Sequence, residues 1–329
     1  MSTAISVNAL SAPLVAALVR DATQLRLKIT HLENGCTLVD GGINCLGSLQ
    51  AGQRIAAICM AALGQIQLRA NPTFTSWPWQ IEVGTSQPVL ACLASQYAGW
   101  SLSIDDPARP GKKFHALGSG PARALAQREP LFAELAYRDT AKNTCLVLET
   151  DHHPPLTLSD QIAQDCAVAP EDLTLILTPT GSLTGVVQIA ARVVEVGLHK
   201  AHELGFPLQD IVDALGSTPL PPPTKDRLSA MGRTNDTILF GGQVQLFVLG
   251  PDDRAAALAE QLPSQNSSDY GKPFAQVFAE YDYDFFKIDG SLFSPARVAV
   301  TALASGRTFH SGQLDNTLLE RSFSSVVET

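Results

Sequence analysis

Residues 173–203 read LTLILTPTGSLTGVVQIAARVVEVGLHKAHE. The apolar run 173–177 is too short for a helix and is bounded by a Thr/Pro/Gly/Ser turn at 178–182, which predicts a buried strand followed by a turn. Helical periodicity then runs from Val186 to Glu203. Residues 80–97 repeat this order: an alternating strand over 80–85, the turn GTSQP at 84–88, and an apolar helix over 88–97 whose Pro88 is tolerated in the first turn. Two strand–turn–helix units of this kind predict a mixed α/β (α+β) fold.

The chain has 329 residues, more than one hydrophobic core usually supports, so two α/β domains are expected. They are placed at 1–150 and 151–329, an approximate boundary, with the terminal segments able to return to the first domain. Hydrophobic residues make up 45% and charged residues 17%, the balance of a chain that buries a large core.

A net charge of -9 with no Lys/Arg-rich segment argues against a nucleic-acid partner. The six cysteines are scattered without a Cys-x-x-Cys pair, so they read as small buried residues with reduced thiols rather than zinc ligands. No basic leader with an apolar core opens the chain and no apolar run is long enough for a bilayer, which gives a cytoplasmic protein with no membrane partner.

Elsewhere the pattern predicts a first helix over 12–32, strands over 36–40, 65–69 and 144–149, and helices over 49–63, 160–167 and 252–262. PLPPP at 219–223 is a rigid extended segment. Residues 237–249 alternate like a strand pair broken at Gly241 and Gly242, 285–288 and 297–303 look extended, and the tail SFSSVVET is expected to be loosely held.

On the long helix Gln188, Arg192, Glu195, His199 and His202 recur at spacings of four, three, four and three, which is one stripe. A bland reading makes them a solvated face with weak i,i+3 and i,i+4 pairs. The flanking Val193, Val194, Val196 and Gly197 argue instead for a narrow polar seam on a buried helix, which must meet other polar groups or a pocket. A carboxylate beside a fixed guanidinium can hold and polarise water, and the guanidinium sets its ionisation. The two histidines lack a third ligand at metal-binding spacing and read as structural.

Three further stretches are candidates. In ALGSGPARAL at 116–125, Ser119 and Arg123 flank a Gly-rich turn before a helix, a pattern that attracts anions or simply caps the helix. In ACLASQYAGWSL at 91–102, Gln96 and Tyr97 interrupt an apolar helix where a flat ring could stack, or where a core could pack. In MGRTNDTILFGG at 231–242, Arg233 and Asn235 sit in a polar loop entering a strand. His152 and His153 read as surface residues.

Taken in order, SVNALSAPLV, ACLASQYAGWSL, FHALGSGPARALA, ARVVEVGLHKAHELGFPL, LPPP, AMGRTNDTILFGG and FKIDGSLFSPARV resemble the methenyltetrahydromethanopterin cyclohydrolase family over essentially the whole chain, its methylotroph-type bacterial members most closely. The resemblance implies two α/β domains with the pterin in a pocket between them, a homotrimer, no metal or redox cofactor, and reversible hydrolysis of 5,10-methenyltetrahydromethanopterin to the 5-formyl compound. It also implies a catalytic arginine followed three residues later by a glutamate, a pattern matched by Arg192 and Glu195.

With that chemistry Glu195 is expected to activate water and Arg192 to tune it. Gln96, Tyr97, Gln188, Arg233 and Asn235 are expected in the pocket wall, and Ser119 and Arg123 at an anionic group of the substrate side chain. The rivals are a non-catalytic pterin or phosphorylated-metabolite binding protein, a structural oligomer, and a group transferase using the GSGPAR turn. Hydrolysis of the methenyl pterin separates the first of these from an enzyme.

Overall fold

The computed structural model describes residues 5–71, 73–74, 76–107, 109–284 and 287–324. Its strands are β1 (Lys28–His31), β2 (Thr37–Asp40), β3 (Gly64–Ala70), β4 (Trp79–Thr85), β5 (Trp100–Asp105), β6 (Lys113–Ser119), β7 (Thr144–Glu149), β8 (Leu173–Leu177), β9 (Ile211–Pro219), β10 (Gln243–Val248), β11 (Arg297–Ala302) and β12 (Arg307–Gly312). They form two six-stranded sheets. The chain divides into one unit of Met1–Gly64 with Leu90–Gln188 and another of Gln65–Val89 with Ile189–Thr329.

In the first unit the strand order is β1-β2-β8-β7-β6-β5. β2, β8 and β7 run parallel, while β1, β6 and β5 pair antiparallel at the flanks. The parallel strands are covered on both faces, which is why TCLVLE and LTLIL are nearly continuous in apolar character. One face packs Leu38, Leu146 and Leu175 against Leu158 and Ile162 of the helix Leu156–Cys166. The other packs Val39, Val147 and Ile176 against Leu18 of the helix Val7–Arg20 and Ile55 and Ile58 of the helix Leu49–Cys59. β7 pairs with β8, so the neighbourhood of residue 150, where the sequence placed an approximate division, runs inside this sheet.

In the second unit the order is β12-β11-β10-β9-β4-β3. β10 and β11 are parallel, and β4 with β9, β9 with β10, and β11 with β12 are antiparallel. The helix Val193–Glu203 lies on one face of this sheet: a Cβ at Gly216 of β9 would stand 2.7 Å from a methyl of Val194 and 3.0 Å from one of Val193, so only glycine admits the helix so closely. Helices Arg227–Gly241, Phe274–Glu280 and Asn316–Ser324 share a second core of Phe240, Phe274, Leu319 and Phe323.

Several expected elements change. The helix predicted over 12–32 begins earlier, where the Ser6 hydroxyl caps it by accepting from the Ala9 N–H, and ends at Arg20. A four-residue helix, Ala22–Leu25, and a left-handed Arg26 then lead into β1. The long helix of the opening stretch is two helices, Leu183–Ala190 and Val193–Glu203. Its apolar periodicity continues through the break, and periodicity cannot register a two-residue turn that leaves the phase nearly intact. The helix over 88–97 is a wide π-type helix, Val89–Gln96.

Residues 231–241 are helical rather than a loop, because the polar side chains are consumed by tertiary and local bonds. Asp226 caps the helix at the Ser229 N–H, Thr234 and Asn235 donate back to the Ala230 and Met231 carbonyls, and Asp236 accepts from outside the helix. β9, β5, β6 and β12 were not anticipated. The tail is held through Ser324, with Phe323 in the core; residues 325–329 lie outside the described residues, as do Phe285 and Phe286 of the expected extended segment 285–288.

All six cysteines are free and five of them are buried. Among the described residues no helix is long and apolar enough to cross a membrane.

Candidate active site

Arg192 stands at the junction of the two helices. Its φ of -83° and ψ of 3° make it the N-terminal cap residue of Val193–Glu203, its N–H donates to the Ile189 carbonyl and its own carbonyl accepts from the Val196 N–H. Glu195 follows in the first turn, where a carboxylate is favoured by the positive end of the helix dipole. A guanidinium nitrogen of Arg192 lies 4.0 Å from a carboxylate oxygen of Glu195.

Both side chains are nearly buried, Arg192 at 5% and Glu195 at 4% exposure, between Val193 and Val194 at 0%. The 4.0 Å separation is too long for a hydrogen bond between those two atoms, yet the charges interact with little screening. The pair is therefore a polarised carboxylate in a low-dielectric setting, suited to holding a water molecule and accepting its proton.

The rest of the seam diverges. His199 pairs with Glu203 at 3.7 Å and its ring centroid is 6.3 Å from that of His202. Lys200, not singled out by the sequence, is buried and donates to the Ser291 hydroxyl at 3.1 Å. Gln188 belongs to the preceding helix and donates to the Thr178 hydroxyl at 3.3 Å. Among the described residues no group of three or more His, Cys, Asp or Glu is arranged to hold a metal ion.

The other candidates separate by exposure. Gln96, Ser119 and Arg123 have 0% exposure and Gln188 1%, so none of the four presents surface to a ligand in this conformation. Ser119 is the last residue of β6, and its hydroxyl lies 3.6 Å from the Cys59 sulfur. Arg123 is a structural brace in place of the expected anion site. Its Nε and Nη2 donate to the two carboxylate oxygens of Glu129 at 2.8 and 2.5 Å, and its Nη1 donates to the carbonyls of Leu93 and Ser95 at 3.0 and 2.9 Å.

The guanidinium of Arg123 also packs 5.2 Å from the Tyr97 ring centre and 5.3 Å from that of Phe132. This fastens the π-type helix at its carbonyls. Tyr97, Arg233 and Asn235 are half-buried. Asn235 is bonded along its own helix, whereas Arg233 donates at 3.5 Å to the Pro222 carbonyl, and burial lowers its pKa.

A further polar centre escaped the sequence reading. Asp40, fully buried at the carboxyl end of β2, accepts from the N–H groups of Gly42, Ile43 and Asn44 at 2.9, 2.7 and 2.8 Å. Burial raises its pKa, but these three bonds outweigh it and leave the group below the usual carboxylate value. His153 comes within 3.5 Å of the same carboxylate. The legible signal was local: an aspartate ending an apolar strand ahead of Gly-Gly, where successive amides fold back on the side chain.

A protein-family model described as cyclohydrolase (MCH) matches residues 6–323. The methenyltetrahydromethanopterin cyclohydrolase of Methylobacillus flagellatus is 55% identical over 318 residues, covering 97% of this chain and 95% of that protein. The protein of the same name from Xanthobacter autotrophicus is 54% identical over 319 residues, 97% of this chain and 93% of that one. Its namesake in Methanothermobacter marburgensis is 39% identical over 325 residues, 97% of this chain and 99% of that one.

Proposed function

Because the chain belongs to the cyclohydrolase (MCH) family over residues 6–323, we propose that it hydrolyses 5,10-methenyltetrahydromethanopterin to the 5-formyl compound, with Glu195 as the base and Arg192 as its tuning partner. The single structural observation that supports these roles is the buried pair at 4.0 Å.

The substrate carbon bridges two nitrogens as an amidinium-like cation and is already electrophilic, so the reaction as written calls for no metal or redox cofactor. Glu195 orients a water molecule and takes one of its protons as the oxygen bonds to the methenyl carbon. The adduct then loses its hydroxyl proton as the carbonyl forms. The bond from that carbon to N10 breaks with its electron pair on N10, and N10 takes a proton returned through Glu195. The sum is one methenyl cation and one water giving one formyl product and one released proton.

Arg192 keeps the carboxylate ionised before attack and stabilises its charge again once the proton has been returned. Fixing the water against the substrate supplies the remaining acceleration. Arg233, which keeps partial exposure and belongs to the same unit as Arg192 and Glu195, is the residue we retain for contact with the pterin. We further propose a cytoplasmic homotrimer, for which sedimentation of the purified protein at three times the chain mass is the check.

The decisive assay mixes protein with methenyltetrahydromethanopterin and follows its near-ultraviolet absorbance together with proton release. Catalysed decay with one proton per molecule is expected. Binding without decay would leave a pterin-binding protein and sink the enzymatic reading.

A further inference from the structure

The second sheet presents a recess that the proposed reaction does not use. It has a volume of about 380 Å³ and is lined by Arg297, His310, Ser311, Gly312, Gln313 and Leu314.

The strand registers fix which way its two basic side chains stand. A Cβ at Gly197 would lie 3.6 Å from the Val244 methyls, so Val244 faces the helix that carries Glu195. Val244 pairs with Val298, which therefore points to the same side, and Arg297, one residue away, points to the other. Ala299 is two residues beyond Arg297 and pairs with His310, so His310 shares the face of Arg297. The recess thus lies across the sheet from the helix bearing Glu195.

Arg297 pairs with Gly312 and His310 is two residues before it, a diagonal relation that sets the two residues roughly 7–8 Å apart, their Cβ atoms somewhat closer. That is a span one small oxyanion can bridge with a guanidinium on one side and an imidazole on the other. Both residues are exposed, and among the described residues neither side chain makes a hydrogen bond or ion pair. No Asp or Glu lines the recess. Gly312, which also lines it, has φ +74°, and a Cβ there would stand 2.1 Å from the Ala296 carbonyl oxygen, so the position requires glycine.

The geometry points to a binding site for a phosphate-type oxyanion, held by Arg297 and His310, with Gln313 also lining the recess. A planar guanidinium matches two oxygens of such a group at once. A recess of this size also takes a phosphate carried on a small organic body.

Titration calorimetry of the full-length protein with inorganic phosphate, at ionic strength held constant with chloride, tests the site. One saturable site per chain is expected, with affinity at least tenfold weaker in Arg297→Ala and several-fold weaker in His310→Ala, both variants matching wild type by circular dichroism. Glycerol 3-phosphate titrated in parallel separates the two sources: tighter binding than inorganic phosphate identifies a phosphomonoester, and weaker binding identifies the free ion.

No saturable binding up to roughly 10 mM phosphate, or an unchanged affinity in Arg297→Ala, overturns the site. Methenyl-pterin turnover by Arg297→Ala should equal wild type. Loss of that turnover in the folded variant would place Arg297 in the reaction site and equally overturn the assignment.

Discussion

Two buried Arg–Glu pairs in this protein differ in geometry. In the first unit the guanidinium of Arg123 is saturated: two short bonds to Glu129 and two to backbone carbonyls leave both charges locked. In the second unit Arg192 and Glu195 approach only to 4.0 Å, at the start of a helix and beside a turn. Burial alone does not mark a reactive pair. Distance separates the two: the closed pair is a brace, and the open pair, at 4.0 Å, is the one proposed to activate water.

The largest expected effect is on the open pair. Glu195→Gln keeps the shape and removes the base, so kcat should fall about 10²- to 10⁴-fold, the usual contribution of a positioned general base, while pterin binding and the melting profile stay near wild type. Near-normal turnover in this variant would reduce Glu195 to scaffolding and erase the contrast with Glu129.

The mirror experiment is on the closed pair. Arg123→Met leaves Glu129 without its cation and two carbonyls of the π-type helix without their donor, and breaking a buried pair from one side costs on the order of 3–5 kcal/mol. Chemical denaturation should register that loss, with turnover per folded molecule little changed. A stable Arg123→Met protein with collapsed turnover would mean that the brace is itself part of the site.

The sequence made one pair legible and disguised the other. Arg192 and Glu195 stand three apart amid Val193 and Val194, and a cap residue and its first-turn acid keep that spacing even though the helix breaks at 191–192. Arg123 follows Gly-Ser-Gly-Pro and looks like an anion-binding helix start; besides Glu129, six residues on, the acceptors that occupy it are the carbonyls of Leu93 and Ser95, 30 and 28 residues away. Local pattern carries no trace of those two carbonyls.

The same limit governs the fold. β7 and β8 were readable because double-sided burial leaves plain apolar runs, whereas β9 hides behind Asp213, Leu215 and Gly216, which interrupt its alternation. The helix Arg227–Gly241 looked like a loop because the bonds that absorb its polar residues come partly from distant helices.

Asp236 extends the comparison to a buried carboxylate that, among the described residues, pairs with no cation. It is fully buried, accepting from the Phe274 N–H at 2.8 Å and the Ser322 hydroxyl at 2.6 Å, and burial pushes its pKa up to about 7. A carboxyl whose folded value lies above its unfolded value stabilises the native state fully below about pH 4, and this contribution is lost as pH rises through about 7.

Asp236→Asn keeps the shape without the titration. Its unfolding free energy should match wild type near pH 4 and exceed it at pH 8, by at most about 4 kcal/mol on 1.36 kcal/mol per pKa unit. The same wild-type-to-variant difference at both pH values would show that Asp236 does not titrate in this window.

The smallest effect expected is the most specific to the open pair. Arg192→Lys keeps a positive charge but replaces the planar guanidinium with a compact, strongly hydrated ammonium on a different reach, so the charge no longer sits fixed beside Glu195. Turnover should fall roughly tenfold, the scale of a 1.4 kcal/mol weakening. Because a nearby cation favours the ionised carboxylate, loosening it should also move the rising limb of the pH–kcat profile to higher pH. A tenfold loss with an unmoved limb would make Arg192 a positioning residue alone; the moved limb is what distinguishes a guanidinium that tunes its neighbour from one that, like Arg123, only holds the chain in place.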